Sequence, residues 1–197
     1  MWNERYSAQE YVYGTAPNEF LRSVSDRIQG RQVLCLAEGE GRNAVYLARE
    51  GYDVTAVDAS AVCLEKAEML ADESYVSIDT VVADLADYDM SRSRWDGVVS
   101  MFCHLPVAKR KALHRNVVKG LRPGGVFIVE AYRPRQLALS SGGPSSAELT
   151  VSLDILSEEL DGLVFVQAKE LERDILEGSL HLGVGAVVQV IAMKPNK

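Results

Sequence analysis

Residues 33–43, Val-Leu-Cys-Leu-Ala-Glu-Gly-Glu-Gly-Arg-Asn, constrain the fold more than any other stretch of the chain. An apolar run passes through two glycines straight into the polar start of a helical pattern. A buried strand, a tight glycine turn and a helix in immediate succession form the opening unit of an α/β sheet. Glycine there lets backbone N–H groups approach a ligand closely. The helix start adds unpaired donors and a partial positive charge, so the turn reads as a cradle for a nucleotide-like cofactor.

Helix and strand periods alternate along the rest of the chain with short connections, as in an α/β sheet. The first predicted helix has Pro17 in its first turn and Gly30 just beyond its end, with Phe20, Leu21, Val24 and Ile28 on one apolar face. Strand one is expected at 32–37, a helix from Arg42 to before Gly51, strand two at 53–57, and a helix begun by Ser60. Strands three and four fall at 76–83 and 97–102, then a helix at 106–119. The turn 121–125, ending Pro-Gly-Gly, feeds strand five at 126–131, whose Val-Phe-Ile-Val lacks alternation and reads as buried on both faces. After a Ser/Gly-rich loop at 140–146, a helix is expected at 148–160. Strands near 163–173 and 180–193 are joined too closely for a crossover, so they form an antiparallel hairpin.

The 197 residues, 47% hydrophobic and 25% charged, suit one domain, and the net charge of −7 with scattered Lys and Arg disfavours nucleic acid. No apolar run approaches bilayer length and the amino terminus lacks a signal-peptide pattern, so a cytoplasmic protein with a small-molecule substrate is expected, as monomer or homodimer. Cys35, Cys63 and Cys103 have no metal-site spacing, so no metal is expected; reduced structural thiols are the ordinary reading, with Cys103 placed where a loop could use it.

Asp58 closes the second apolar run near the spacing at which an acid takes a ribose diol, narrowing the cofactor to a nicotinamide dinucleotide or S-adenosylmethionine. A cap on the following helix is its alternative role. The terminal hairpin, Asp84 at the end of strand three and Pro123-Gly124-Gly125 then weigh toward the second. Together with the glycine turn, these features resemble the class I S-adenosylmethionine-dependent methyltransferases. Trp2 to Tyr6, Tyr11 to Asn18 and Gly-x-Gly-Arg-Asn at 39–43 resemble the small bacterial tellurite-resistance and thiol methyltransferases.

The resemblance implies a doubly wound, mostly parallel seven-stranded sheet, order 3-2-1-4-5-7-6, with strand seven antiparallel and helices on both faces. Residues 1–30 would form a helical lid and 31–197 a Rossmann-like core. It implies that Gly39 and Gly41 pass the methionine part of the cofactor, Asp58 holds the ribose, and Asp84 and Leu85 border the adenine. Asn43, Ala59 and Phe102 complete the expected cofactor contacts. Cys35 and Ala37 stand where the family usually has an acid and a glycine, so Glu38 is the replacement acid for the methionine ammonium, its alternative being an exposed loop acid. Glu40 is expected to be solvated.

Methyl transfer from a sulfonium gains mostly from alignment and water exclusion, with a base needed only if the acceptor carries a proton. His181, in a Gly-x-Leu-His setting resembling tellurite-resistance enzymes, and His104 are the expected acid/base or orienting residues. His104 could instead cap the next helix. Those enzymes follow the histidine with arginine; here Leu182 follows, and Arg133 or Arg173 would have to supply the charge. His114 is expected at the surface. A thiol or chalcogen oxyanion is the expected acceptor class, against a nicotinamide-dependent oxidoreductase or a non-catalytic cofactor-binding sensor or scaffold.

Overall fold

The computed structural model of the chain describes residues 10–139, 141–178 and 181–196. Seven strands, β1 (Gln32–Leu36), β2 (Asp53–Asp58), β3 (Asp79–Val82), β4 (Trp95–Met101), β5 (Leu121–Tyr132), β6 (Val164–Glu177) and β7 (His181–Met193), form one sheet. Their order is β3-β2-β1-β4-β5-β7-β6, with β1 to β5 paired in parallel and β7 antiparallel to both neighbours. This is the topology the sequence resemblance implies.

Alternation along β1 sorts the core into two layers. Val33 and Cys35 pack with α1 (Glu19–Val24), α2 (Arg42–Arg49) and α3 (Ala61–Glu73). Leu34 and Leu36 pack on the opposite face with α4 (Val107–Gly120) and α5 (Leu153–Glu159). Both faces of the central strands are therefore covered, which is why β4 is buried along its whole length. Each fully buried Leu or Val there contributes about 1.5–3 kcal/mol.

Local chemistry sets the helix starts. The Asn18 side chain accepts from Leu21 N at 2.9 Å, so α1 begins after Pro17 rather than around it, and gives way to a 3-10 turn at Ser25–Arg27. Ser60 caps α3 as expected. Gly41 is the left-handed N-cap of α2 (φ 90°), and a Cβ on it would stand 2.7 Å from the Ala67 backbone, so α2 and α3 touch there.

Four expectations are corrected. Strand three is limited to Asp79–Val82, and β5 starts at Leu121, with the Pro-Gly-Gly segment absorbed in a register shift against β4 between Trp95 and Gly97. The single helix at 148–160 is two pieces, a 3-10 turn at Ala147–Leu149 and α5, because Val151 N bonds Tyr132 O at 2.9 Å and Ser152 starts a new cap at Ile155 N. His114 is buried: its Nδ1 lies 2.7 Å from Glu159 Oε2, while Arg110 Nη2 holds the other oxygen at 2.9 Å. Burial pushes the Glu159 carboxyl up, but these two partners outweigh it and hold it down at about 2. The pair ties α4 to α5.

Candidate active site

The carboxyl ends of β1, β2 and β4 open into a cleft of about 400 Å³. Every expected site residue except Gly41 lines it. Glu38, Gly39 and Asn43 come from the turn into α2, Asp58 and Ala59 from the end of β2, Asp84 and Leu85 from beyond β3, Phe102 and His104 from beyond β4, and His181 from the start of β7. Tyr13 reaches the same cleft from the amino-terminal segment, whereas Tyr11 bonds Lys66 O at 3.2 Å outside it. Trp2 to Tyr6, Ser140 and Leu180 lie outside the described residues.

Strain marks two of the strand ends. Ala37 (φ 51°) and Phe102 (φ 54°) are left-handed although neither is glycine, and both line the cleft. Such a conformation costs about 1–2 kcal/mol in an L-residue, which is the physical reason a glycine suits position 37. Phe102 is held there by its N–H to Glu130 O at 2.8 Å.

Glu38 is buried, not an exposed loop acid. Its Oε1 accepts from Asn43 N at 2.9 Å and Ala44 N at 2.8 Å, placing the carboxyl at the start of α2. Burial still dominates and, with Asp58 nearby, raises its pKa to about 7 against the pull of those N–H groups and Arg42. Between its ordinary 4.5 and 7 the folded state holds the extra proton, so this group's contribution to stability falls as pH rises through that window. A cationic group bound beside it would favour the carboxylate and expel that proton. Calorimetry at pH 6 in two buffers of different ionisation enthalpy should show proton release when S-adenosylmethionine binds, and none for Glu38→Gln; equal release by both proteins would rule out Glu38 as the ammonium partner.

Asp58 is buried, with Oδ2 accepting from Gly39 N and Oδ1 from Ser60 N, both at 3.0 Å. It ties the glycine turn to the residue that caps α3, Ser60, and lines the cleft, while the cap itself is the Ser60 side chain. Asp84 likewise closes a turn by accepting from Ala86 N at 3.0 Å while pairing with Lys109, which lowers its pKa.

Glu40 corrects the expectation of a solvated acid. It is buried, accepts from Val12 N at 2.8 Å and pairs with Lys66, anchoring the amino-terminal segment beside the cleft. The hairpin meets that segment at Gly178, where a Cβ would fall 2.5 Å from Tyr13 Cα. Cys103 lines the cleft, but loss of solvent pushes its thiol up to about 12, far from a reactive thiolate; Cys35 and Cys63 are buried in the core.

The imidazoles sit in an aromatic wall. His181 is buried, with ring centres 4.7 Å from Tyr13, 5.1 Å from Phe102 and 5.6 Å from Tyr132, and His104 stacks on Tyr132 at 5.7 Å. His181 Nδ1 stands 3.8 Å from Glu177 Oε2, an electrostatic approach rather than a hydrogen bond.

Behind this wall lies an ionic network the sequence reading missed. Glu130, fully buried, receives Arg173 through Nε and Nη2 at 2.8 Å each, Gln189 Nε2 at 2.6 Å and Asn18 Nδ2. Glu177 receives Arg42 Nη2 at 2.7 Å, Asn18 Nδ2 at 2.9 Å and Arg173 Nη2 at 3.2 Å. Burial raises the Glu177 carboxyl, but His181, Arg42 and Arg173 together bring it down to about 2. Arg173 is thus consumed by the network and Arg133 pairs with Glu170; neither lines the cleft. Among the described residues no group of three or more His, Cys, Asp or Glu is placed to hold a metal ion, and no helix is long and apolar enough to cross a membrane.

Residues 33–125, from β1 to the turn before the buried part of β5, match the family described as a methyltransferase domain. The matched segment holds the glycine turn, Asp58 and Asp84, three of the features that converge on the cleft. A 2-heptyl-1-hydroxyquinolin-4(1H)-one methyltransferase of Mycobacteroides abscessus is 23% identical over 134 residues, 66% of this chain. The match spans 59% of that relative's length. The methyltransferase fold is shared with a protein solved in work on the conversion of a disulfide bond into a thioacetal group during echinomycin biosynthesis (TM-score 0.79, 21% identity, 98% of this chain and 88% of that one). It is shared too with TehB from Haemophilus influenzae (TM-score 0.71, 17% identity, 98% of this chain and 65% of that one).

Proposed function

We propose that this methyltransferase domain transfers the methyl group of S-adenosylmethionine to a small-molecule acceptor in the cytoplasm, and that the cleft at the strand ends holds both. The observation that carries the reading is the convergence, in that one cleft, of the turn after β1, the acid after β2, the acid after β3 and two imidazoles. The M. abscessus relative, named for a small-molecule acceptor, supports the same class.

The residues present fit the donor. Asp58 spends one lone pair of each oxygen on the backbone, leaving one on each for a ribose diol. Glu38 offers a carboxylate to the methionine ammonium, Gly39, with no side chain, leaves the amino-acid part room, and Leu85 with Phe102 supplies apolar cover for the adenine beside Asp84. Bound there, the donor supplies a methyl on a sulfonium, which already has a good leaving group. The chain's own work is then alignment and dehydration. Tyr13, Phe102 and Tyr132 exclude water around His181, and His181 and His104 orient an acceptor or take its proton.

Thiols and oxyanions need the least from such a site because they lose their proton readily or have already lost it. Incubation with methyl-labelled S-adenosylmethionine and a panel of thiols, selenite, tellurite and small phenols tests the reading. Label in at least one acceptor, with S-adenosylhomocysteine formed in equal amount, is expected. Donor binding with no label transferred to any of them would contradict turnover and favour a sensor.

A further inference from the structure

The cleft contains a cation that the ionic network does not use up. Arg42, first residue of α2, is buried and lines the cleft, with its Nη2 fixed on Glu177 Oε2 at 2.7 Å. Its Nη1 is buried and has no hydrogen-bond partner among the described residues. His181 Nδ1, 3.8 Å from the same Glu177 Oε2, makes no hydrogen bond among the described residues either. An unmet guanidinium N–H pair costs a folded protein free energy unless something meets it, and a planar fork of donors is matched best by an oxyanion.

The position of the fork decides whose oxyanion that is. Glu177 draws the guanidinium toward the end of β6 and the start of β7, whereas Asp58 and Asp84 stand at the ends of β2 and β3 on the other side of the glycine turn. The unmet N–H groups therefore belong to the half of the cleft walled by Tyr13 and Phe102, whose rings flank His181. Those walls favour a flat apolar body over an inorganic ion.

We infer that Arg42, with His181 beside it, forms a subsite for an acidic oxygen, carboxylate or phenolate, carried by a small planar organic acceptor. The inference rests on the methyl-transfer reading of the cleft and narrows its acceptor class. The buried carboxylates Glu130 and Glu177 are balanced by Arg173 and Arg42, and Glu40 by Lys66, so the subsite acts through directed N–H groups rather than through a net positive field. It also supplies the cleft cation that Arg133 and Arg173 do not.

The test uses protein saturated with S-adenosylhomocysteine and compares 2-naphthoate with its neutral isostere 2-naphthamide by titration calorimetry. The acid is expected to bind at least about tenfold more tightly, a difference of about 1.4 kcal/mol. Arg42→Lys keeps a cation against Glu177 but offers one nitrogen for two partners, and should cut the preference to about threefold or less. Arg42→Gln combined with Glu177→Gln leaves neither of that pair charged and should abolish it. No preference in the wild-type protein, or an undiminished one in both variants, overturns the inference and leaves the donor reading intact. If Arg42→Lys weakens S-adenosylhomocysteine but not 5′-methylthioadenosine, which lacks the amino-acid carboxylate, the fork holds the donor and the acceptor assignment fails. If the wild-type protein does not bind S-adenosylhomocysteine at all, the underlying reading falls with it.

Discussion

Replacing Asp58 by alanine is expected to weaken S-adenosylmethionine binding by at least about a hundredfold. Two hydrogen bonds to a charged acceptor are lost, each worth about 1.5–3 kcal/mol. The variant also frees Gly39 N and Ser60 N, both of which Asp58 now receives at 3.0 Å, so the turn that approaches the ligand loses its tether. Asp58→Asn is no milder in kind. An amide in this position must turn its NH₂ toward one of two backbone N–H donors, so one of those contacts becomes donor against donor. Calorimetric titration of wild type and both variants measures the effect, and a loss of threefold or less would remove Asp58 from the donor site.

The second large effect is on stability. Glu130→Ala should destabilise the protein by about 3–5 kcal/mol, because it strands the buried Arg173 guanidinium that now pairs with it through two nitrogens at 2.8 Å. For a chain of this size that lowers the unfolding midpoint by about 6–20 °C. The damage would reach the cleft. Asn18, which caps α1, uses the same amide nitrogen to bond Glu130 and Glu177, and Glu177 holds Arg42. Glu130→Gln preserves the shape and part of the hydrogen bonding, so its loss should be smaller. Thermal and urea unfolding without ligand measure both, and a midpoint within about 2 °C of wild type for the alanine variant would show that the network contributes little.

The parts of this fold that are legible in the sequence are those whose cause is local. The turn at Gly39 to Asn43, the cap at Ser60 and the terminal hairpin each depend on residues within a few positions of one another, and each is found where expected. The cleft was legible for a related reason: strand ends carry their acids and glycines in a fixed order, and the sheet order brings those ends together. What could not be read is partnership across distance. Glu40 looks like a loop acid until Val12 and Lys66 arrive from elsewhere in the chain, and His114 looks exposed until α5 brings Glu159. Arg42 reads in the sequence only as part of a turn motif, since Glu177, its partner, lies 135 positions away. The broken helix near 150 has a different lesson. Its composition is helical, but Ser152 competes locally for backbone N–H groups and Val151 finds a strand partner in Tyr132, which together outweigh propensity.

The central claim, that this cleft is built for a methyl donor rather than a nicotinamide, is tested most directly by thermal unfolding with S-adenosylhomocysteine or NAD⁺ in parallel. At a hundredfold excess over its Kd, a ligand of the native state adds about 2.7 kcal/mol, or about 5–10 °C here. S-adenosylhomocysteine is expected to raise the midpoint by that amount and NAD⁺ to leave it unchanged; stabilisation by NAD⁺ alone would contradict the account.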